Sequence, residues 1–581
     1  MTLYAVICAL TGALLLFMCQ NYKGVTTKAL AVFFPGICCL LSWQALSTYS
    51  ETSDGTVFLF PLQIFNGTAI PLSLRLQEDI FSSSLSLLIF VIAFFTILLM
   101  PSFYKDRGNT TLFSAKILAS SSILNLVVMA DNPITLFVTF MFTGLITAAL
   151  VRFYHDKLRA MQASFTVFIV NLAADSVLLI AAIASAAYLQ SNTYFAGLFA
   201  AIFCLFAFLI KSGLAGSSIW VAESSEAPSL ATSFITSVIL PSCALAMFCM
   251  TQSLLEEFKL LNIVLFFAIS GIFLGAFSAC IQFKIKRILS YSSLSETSLI
   301  LFTACISKDF FLPLSLLIIH SLGKTLLFTS YASVTLAASG EEDIRTIGGV
   351  GRILKFSAAY NLIGCMLMII PFFIAAGNSN SLICTSVCAV ASALTVIYTL
   401  RPFFKVFCGK LFGEDAVIAR LVKEPFIVTF LSTCLFCPSI IFLIKVCDKL
   451  PLENKNAVLL LGNICFTAFV YATFCFIRNV YLSTVLENKY PAFYALAKDG
   501  FGSYKIYHRI APLIARKVGS NLSGKIGKTI IMIGKTADDV KNKTAWLMSL
   551  KNISDIKLYV SLFVSAIILI ITAYFTLKGM Q

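Results

Sequence analysis

The chain has 581 residues, of which 59% are apolar and 12% charged, with 54 phenylalanines and a mean hydropathy of +0.93. Soluble domains carry about 25% charged and 45–50% apolar residues, so a water-soluble globule, a disordered chain and a disulfide-rich secreted scaffold are excluded. Lys and Arg total 42 against 27 Asp and Glu, a formal charge of +15, and only the placement of those charges separates a nucleic-acid surface from a membrane topology.

A transmembrane helix needs roughly 20 mostly apolar residues. In chain order, sixteen stretches qualify: 3–20, 29–48, 80–103, 112–129, 133–151, 163–188, 195–216, 229–252, 260–281, 288–306, 311–335, 354–377, 381–400, 425–446, 456–477 and 558–577. The first resembles a signal peptide but shows neither a basic leading region nor a small-residue cleavage site, so a retained helix is expected. Between the second and third, Val57–Phe60 and Leu72–Leu76 flank Asn66-Gly67, the pattern of a short hairpin at the outer surface. With the first end outside, 33 of the 42 basic residues fall on the inner side and 7 on the outer. That bias is the positive-inside pattern. The basic excess is therefore topological, the expected surroundings are a lipid bilayer, and nucleic acid is not an expected partner. The fold class expected is an all-α polytopic membrane protein of about 16 transmembrane helices.

The two basic residues left inside spans are Lys211 and Lys324. Ionisable groups in a span are costly and mark candidate functional sites. Lys211 precedes Ser212-Gly213 and Gly216-Ser217-Ser218, which should break the seventh helix and free carbonyls able to hydrate a cation or a proton chain. Span eleven carries His320 and Lys324 at i and i+4 on one face. Histidine titrates near neutral pH, so the pair reads as one segment of a proton relay. Glu223 and Glu226, beside Trp220, either pair with Lys211 or lie in a wet inner loop. Asp175 in span six and Glu296 in span ten are further relay candidates, whereas Asp79 and Asp131 at outer span ends read as surface residues. The plainer alternatives are a Lys211 that snorkels to the inner surface and a His320–Lys324 pair that only packs.

No Gly-x-x-x-x-Gly-Lys-Ser/Thr loop is present, which argues against an ATP site. Cys434 and Cys437 form a Cys-x-x-Cys within an apolar span and read as helix packing. Three histidines without metal spacing argue against haem or an iron–sulfur centre. No cofactor and no metal is expected on this chain, and any redox chemistry belongs to partners.

After the fifteenth span, Ile506, Ile510, Ile514, Val518, Leu522, Ile526 and Ile530 recur at helical spacing among Lys505, Arg509, Arg516, Lys517, Lys525 and Lys528. This is the pattern of an amphipathic helix on the inner membrane surface. Residues 505–550, if helical, would reach about 68 Å at 1.5 Å per residue. The reach suits a lateral strut to neighbouring subunits, followed by one anchoring span; the plainer reading is a basic loop held to anionic lipid.

Several stretches together resemble the large antiporter-like membrane subunit of respiratory complex I, the subunit 5 or L family, related to subunits of multisubunit cation/proton antiporters. They are Ala130-Asp131-Asn132-Pro133, Phe168-Ile169-Val170-Asn171 with Asp175, and Lys211-Ser212-Gly213 with Trp220, Glu223, Glu226 and Pro228. Further along come Ile285-Lys286-Arg287-Ile288-Leu289-Ser290-Tyr291-Ser292, then His320 and Lys324 with Leu326-Leu327-Phe328, and Gly340-Glu341-Glu342-Asp343-Ile344-Arg345. The resemblance implies two inverted five-helix repeats, roughly spans 4–8 and 9–13, each with a broken helix, and a C-terminal lateral helix. The interruptions would be the Gly/Ser run after Lys211 and, in span twelve, Pro371 with Gly377-Asn378-Ser379.

The resemblance also implies a proton relay through Lys211, His320 and Lys324, with Glu223, Glu226, Glu296 and Asp175 as accessory groups. The departures are a fifth-helix glutamate replaced by Met141, an eighth-helix histidine by Thr236, and a twelfth-helix lysine by a residue near Ser379. No acidic partner for Lys211 stands where the resemblance puts one.

The expected division is N-terminal helices with the outer hairpin (1–111), a first repeat (112–252), a second repeat (253–400), additional helices (401–504), the lateral helix (505–550) and an anchor (551–581). The expected function is membrane-arm subunit of an NADH:quinone oxidoreductase, in a bacterial inner membrane or alternatively a mitochondrial one. Its expected partners are other membrane-arm subunits of a respiratory or antiporter complex and protons, with Na⁺ or K⁺ as the alternative ions. The alternatives are a subunit of a multisubunit Na⁺(K⁺)/H⁺ antiporter and a non-pumping structural paralogue.

Overall fold

The computed structural model describes residues 1–505 and 507, apart from 21–24, 52–55, 62–72, 105–109, 155, 192, 308–309, 380, 410–425, 451–453 and 479–481. The apolar runs form helices because, away from water, a helix satisfies its own backbone donors and acceptors. In chain order these are α1 (Thr2–Met18), α2 (Val25–Glu51), α3 (Ile80–Tyr104), α4 (Thr110–Val128), α5 (Pro133–Val151), α6 (Leu158–Ser191) and α7 (Tyr194–Lys211). Then come α8 (Ile219–Glu223), α9 (Ser229–Phe234), α10 (Leu240–Glu257), α11 (Leu261–Ile281), α12 (Ile285–Ile306) and α13 (Phe311–Ala337). The last are α14 (Lys355–Gly377), α15 (Leu382–Phe407), α16 (Phe426–Lys449), α17 (Lys455–Arg478), α18 (Leu482–Lys489) and α19 (Pro491–Lys498).

Thirteen helices among the described residues are long and apolar enough to cross a membrane, with α9 and α10 taken as one. Of the three other expected spans, 3–20 is the 17-residue α1, and 558–577 lies outside the described residues, as does nearly all of 505–550. The third is α12, which has the length, 22 residues, but not the hydropathy. Its serines explain why: α12 is buried on almost every face, so its polar side chains meet other helices rather than lipid. Ser293 and Ser298 return their hydroxyls to the carbonyls of Leu289 and Leu294, four residues back, which lets a polar residue sit in a helix away from water.

The expected hairpin is present as β1 (Thr56–Pro61) and β2 (Ser73–Glu78), antiparallel with Phe58 opposite Leu76 and Phe60 opposite Leu74; Asn66-Gly67 lies outside the described residues. Gln77 N–H donates to Met129 O and Asp131 N–H to Arg75 O, fastening β2 to the end of α4. Arg75 and Asp131, 3.9 Å apart and partly exposed, fit the surface reading of Asp131.

Sequential neighbours α5–α6–α7, α11–α12 and α13–α14 pack most extensively, as short connections favour. Segments distant in the chain interlock: α10 contacts α7, α4 and α12, while α9 and the turn after it lean on α13. The described cysteines are unpaired.

Three boundaries differ from expectation for identifiable reasons. Span seven stops at Lys211 rather than 216, because Gly213, Ala215 and Gly216 all take positive φ (+78°, +50° and +85°). Span eight is two helices, α9 and α10, joined by a π-turn at Ile235–Ile239. Span twelve is not interrupted at Pro371: α14 runs unbroken through it to Gly377, since a lost N–H inside a packed membrane helix is compensated locally.

Candidate functional site

Lys211 ends α7, and its ammonium is buried between α5 and α6. Nζ donates to Asp175 Oδ1 at 2.8 Å and to Phe140 O at 3.4 Å, and it sits 4.6 Å from the centre of the Phe140 ring. The two charged side chains are only 4% and 3% exposed. Lys211 therefore does have an acidic partner, and it comes from α6. The Met141 position of α5 does not supply it, but α5 does contribute the backbone carbonyl and ring of Phe140. Room for the carboxylate comes from Gly144, where a Cβ would lie 3.1 Å from Asn171 Cβ and 3.5 Å from Asp175 Oδ2.

At the break after Lys211, the carbonyls of Leu209 and Ile210, expected to be free, are paired. Ile210 O accepts from Gly213 N–H, Ser217 Oγ at 3.0 Å and Trp220 Nε1 at 3.3 Å, and Leu209 O accepts from Leu214 N–H and Ser217 Oγ. Ser217 and Trp220 thus cap the helix end, and the chain turns there directly after Lys211.

Glu223 and Glu226 pair with other cations than Lys211. Glu223 Oε1 accepts from Arg159 Nη2 of α6 and Arg287 Nη2 of α12, each at 3.0 Å. Glu226 lies 3.5 Å from Arg159 and 3.9 Å from Lys284 and Arg287. Lys286 bonds Glu342 at 2.9 Å and Ala227 O at 2.8 Å. The two glutamates therefore clamp the α8 segment to both halves of the bundle at its basic end. In the neighbouring loop, burial raises the Asp343 carboxyl but the Arg345 guanidinium outweighs it, so the group sits below the usual aspartate range.

The second half holds a separate cluster. His320 Nδ1 lies 2.6 Å from Glu296 Oε2, with both side chains 1% exposed, and His320 Nε2 lies 3.4 Å from Thr236 O. A carbonyl can only accept and a carboxylate accepts when ionised. His320 Nδ1 and Glu296 Oε2 thus share one hydrogen bond, whose donor is set by the imidazole tautomer. Lys324, fully buried, donates to Leu289 O at 2.9 Å and to Ser292 Oγ. His320 and Lys324 share a helix face, as expected, and both address α12. Sequence reasoning named Glu296 but not its pairing with His320.

Between the clusters runs the α9–α10 segment. The π-turn presents Thr236 O to His320 and Ser237 O to Ser321 Oγ at 2.6 Å. Seven residues on, about 10 Å along the axis, Cys243 lies buried in α10, the helix that packs against α7. Thr236 turns its own hydroxyl back to Thr232 O, so the turn offers His320 a backbone carbonyl rather than a titratable side chain. Ser233 and Ser242 of this segment bury hydroxyls with no hydrogen bond among the described residues.

The site thus consists of a buried Lys–Asp pair at a helix break and a buried His–Glu pair near a buried lysine. Residues 130–404 match the transmembrane family of NADH:quinone oxidoreductase and Mrp antiporter proteins. It is 24% identical to NADH-quinone oxidoreductase subunit L of Buchnera aphidicola subsp. Baizongia pistaciae (strain Bp), across 70% of each chain. It is 23% identical to NADH-ubiquinone oxidoreductase chain 5 of Rhizopus stolonifer, across 63% of this chain and 60% of that one.

Two solved structures share the fold. One is the membrane-bound sulfane sulfur reductase, an archaeal respiratory membrane complex (TM-score 0.61, 16% identity, 79% of this chain and 99% of that chain). The other is the Mrp complex from a Dietzia species (TM-score 0.62, 14% identity, 81% of this chain and 98% of that chain).

Proposed function

We propose that this chain is a membrane-arm subunit of an NADH:quinone oxidoreductase-type complex, moving protons between two buried stations while partner subunits carry out electron transfer. The observation that supports this most is the Lys211–Asp175 pair, buried at the end of a broken helix. A change in the field from a neighbouring subunit would open the ion pair. The unpaired ammonium, held in a low-dielectric site, would then favour release of its proton. The π-turn carbonyls and buried serines lead from there towards the His320–Glu296 pair, which accepts the proton and its charge, and Lys324 is the next cation on that face. Glu223 and Glu226 hold the geometry rather than the proton. The proposed membrane is the bacterial inner membrane, in keeping with the bacterial source of the Buchnera relative.

The test is reconstitution of the assembled complex in vesicles. Lys211→Ala should leave NADH oxidation measurable and reduce proton translocation at least about tenfold, below the 10²–10⁴-fold typical of a positioned proton-transfer group. Unchanged translocation would sink the relay. Likeness to the Mrp fold keeps one second reading open: Na⁺- or K⁺-dependent proton flux in the absence of NADH would assign the chain to a cation/proton antiporter instead.

A further inference from the structure

Pro241, the second residue of α10, takes helical donors away from two carbonyls of the π-turn. Ser237 O would accept from residue 241 in a regular helix, but proline has no N–H. Thr236 O would accept from Leu240 N–H, but the turn sends that group to Ile235 O, and the next residue is again Pro241. Thr236 and Ser237 are fully buried, where an acceptor left unpaired costs about 1–3 kcal/mol.

Two consecutive residues of α13 meet these two carbonyls. Ser321 Oγ donates to Ser237 O at 2.6 Å, and His320 Nε2 lies 3.4 Å from Thr236 O. Ser321 also has Leu317 O of its own helix within reach, at 2.8 Å. A hydroxyl carries a single hydrogen. Leu317 O already takes the backbone N–H four residues on, as in any α-helix, whereas Ser237 O has lost that donor. The hydroxyl therefore belongs with the π-turn. Thr236 O can only accept, so its bond to His320 needs a hydrogen on Nε2. The other ring nitrogen, Nδ1, faces Glu296 Oε2 at 2.6 Å.

We propose that Ser321 is a positioning residue for the proton relay. By holding Ser237 O, it keeps the π-turn where Thr236 O meets His320 Nε2, and that bond sets the tautomer of the ring. With Nε2–H fixed, Nδ1 is the ring atom that gains and loses a proton, and it does so against Glu296. The Oε2–H bond breaks as the Nδ1–H bond forms, leaving carboxylate and imidazolium; the reverse step restores carboxylic acid and imidazole. In the other tautomer Nδ1 already carries a hydrogen, donates it to the carboxylate and cannot accept one. The role in transfer rests on the relay reading above, whereas the tautomer does not.

The test is nitrogen NMR of the assembled complex with isotope-labelled histidine rings, the His320 signals being those lost in His320→Gln, alongside proton flux in vesicles. In the unaltered protein every His320 signal should show a hydrogen on Nε2. In Ser321→Ala a bare Nε2 should appear, and proton flux per NADH oxidised should fall about tenfold, within the hundredfold that a misplacement of about 1 Å can cost. Ser321→Thr, which keeps the hydroxyl, should restore both. A packing role would lower flux without moving the ring hydrogen. A bare Nε2 in the unaltered protein overturns the proposal whether or not any variant assembles. Retention of Nε2–H in Ser321→Ala overturns it too, as does full flux there while Lys211→Ala loses flux. Full flux in Lys211→Ala with a tautomer shift in Ser321→Ala sinks the relay, and the part of Ser321 in it, while the tautomer assignment stands.

Discussion

Lys211 and Asp175 are 36 residues apart, bonded at 2.8 Å and both buried. Removing one partner of such a pair strands the other charge, at about 3–5 kcal/mol, whereas replacing both with neutral groups is far milder. Asp175→Asn should therefore destabilise the purified complex markedly, and Asp175→Asn combined with Lys211→Met should recover much of the loss. Thermal melting in detergent reads the cycle, and additive losses would mean that the two groups do not interact. Both residues were legible in the sequence as charges inside spans. Their pairing was not, because the family resemblance pointed to the Met141 position on α5, and helix rotation alone decides that α6 presents the carboxylate. The same holds for His320 and Glu296, 24 residues apart on adjacent helices.

At the scale of elements, the break after α7 was readable from Gly213, Gly216 and the serines, but its capping was not. Gly213 has φ +78°, and a Cβ there would lie 2.9 Å from Val221 Cγ2 and 3.1 Å from Leu294 Cδ1. A left-handed conformation costs a side-chain-bearing residue about 1–2 kcal/mol before any clash. Gly213→Ala should thus lower the melting temperature. Gly462→Ala in α17, where a Cβ meets nothing within 4 Å, should be neutral or stabilise by about 0.4–1 kcal/mol. Equal effects of the two substitutions would remove the special role of the turn. Pro371 shows the opposite error. Proline signals a helix stop in a sequence, yet α14 continues through it because the packed surroundings make good the missing hydrogen bond.

For the whole molecule, the decisive contact is Glu223, which accepts from Arg159 on α6 and Arg287 on α12 and so ties the α8 segment to both halves. Arg159 is half exposed, so its share is small; Arg287 is more enclosed. Glu223→Gln should cost about 2 kcal/mol, the scale of one charge-assisted hydrogen bond, and loosen α8 as read by hydrogen exchange. The Lys211–Asp175 pair should survive it. Loss of proton translocation as complete as in Lys211→Ala would instead make Glu223 a relay group.

Length, apolar fraction and the 33-to-7 split of basic residues determined by themselves that this is a polytopic helical membrane protein. These properties are local or additive along the chain, imposed by bilayer thickness and by the charge asymmetry of insertion. Sequence motifs likewise brought out Lys211, His320 and Lys324 as the residues to watch. Only the tertiary structure decided which oxygen each buried cation faces, that Ser217 and Trp220 close the broken helix, and that Glu223 and Glu226 clamp rather than counter Lys211. Those outcomes depend on helix rotation and contact between segments tens of residues apart, where shifting a helix by one residue turns each side chain by about 100°.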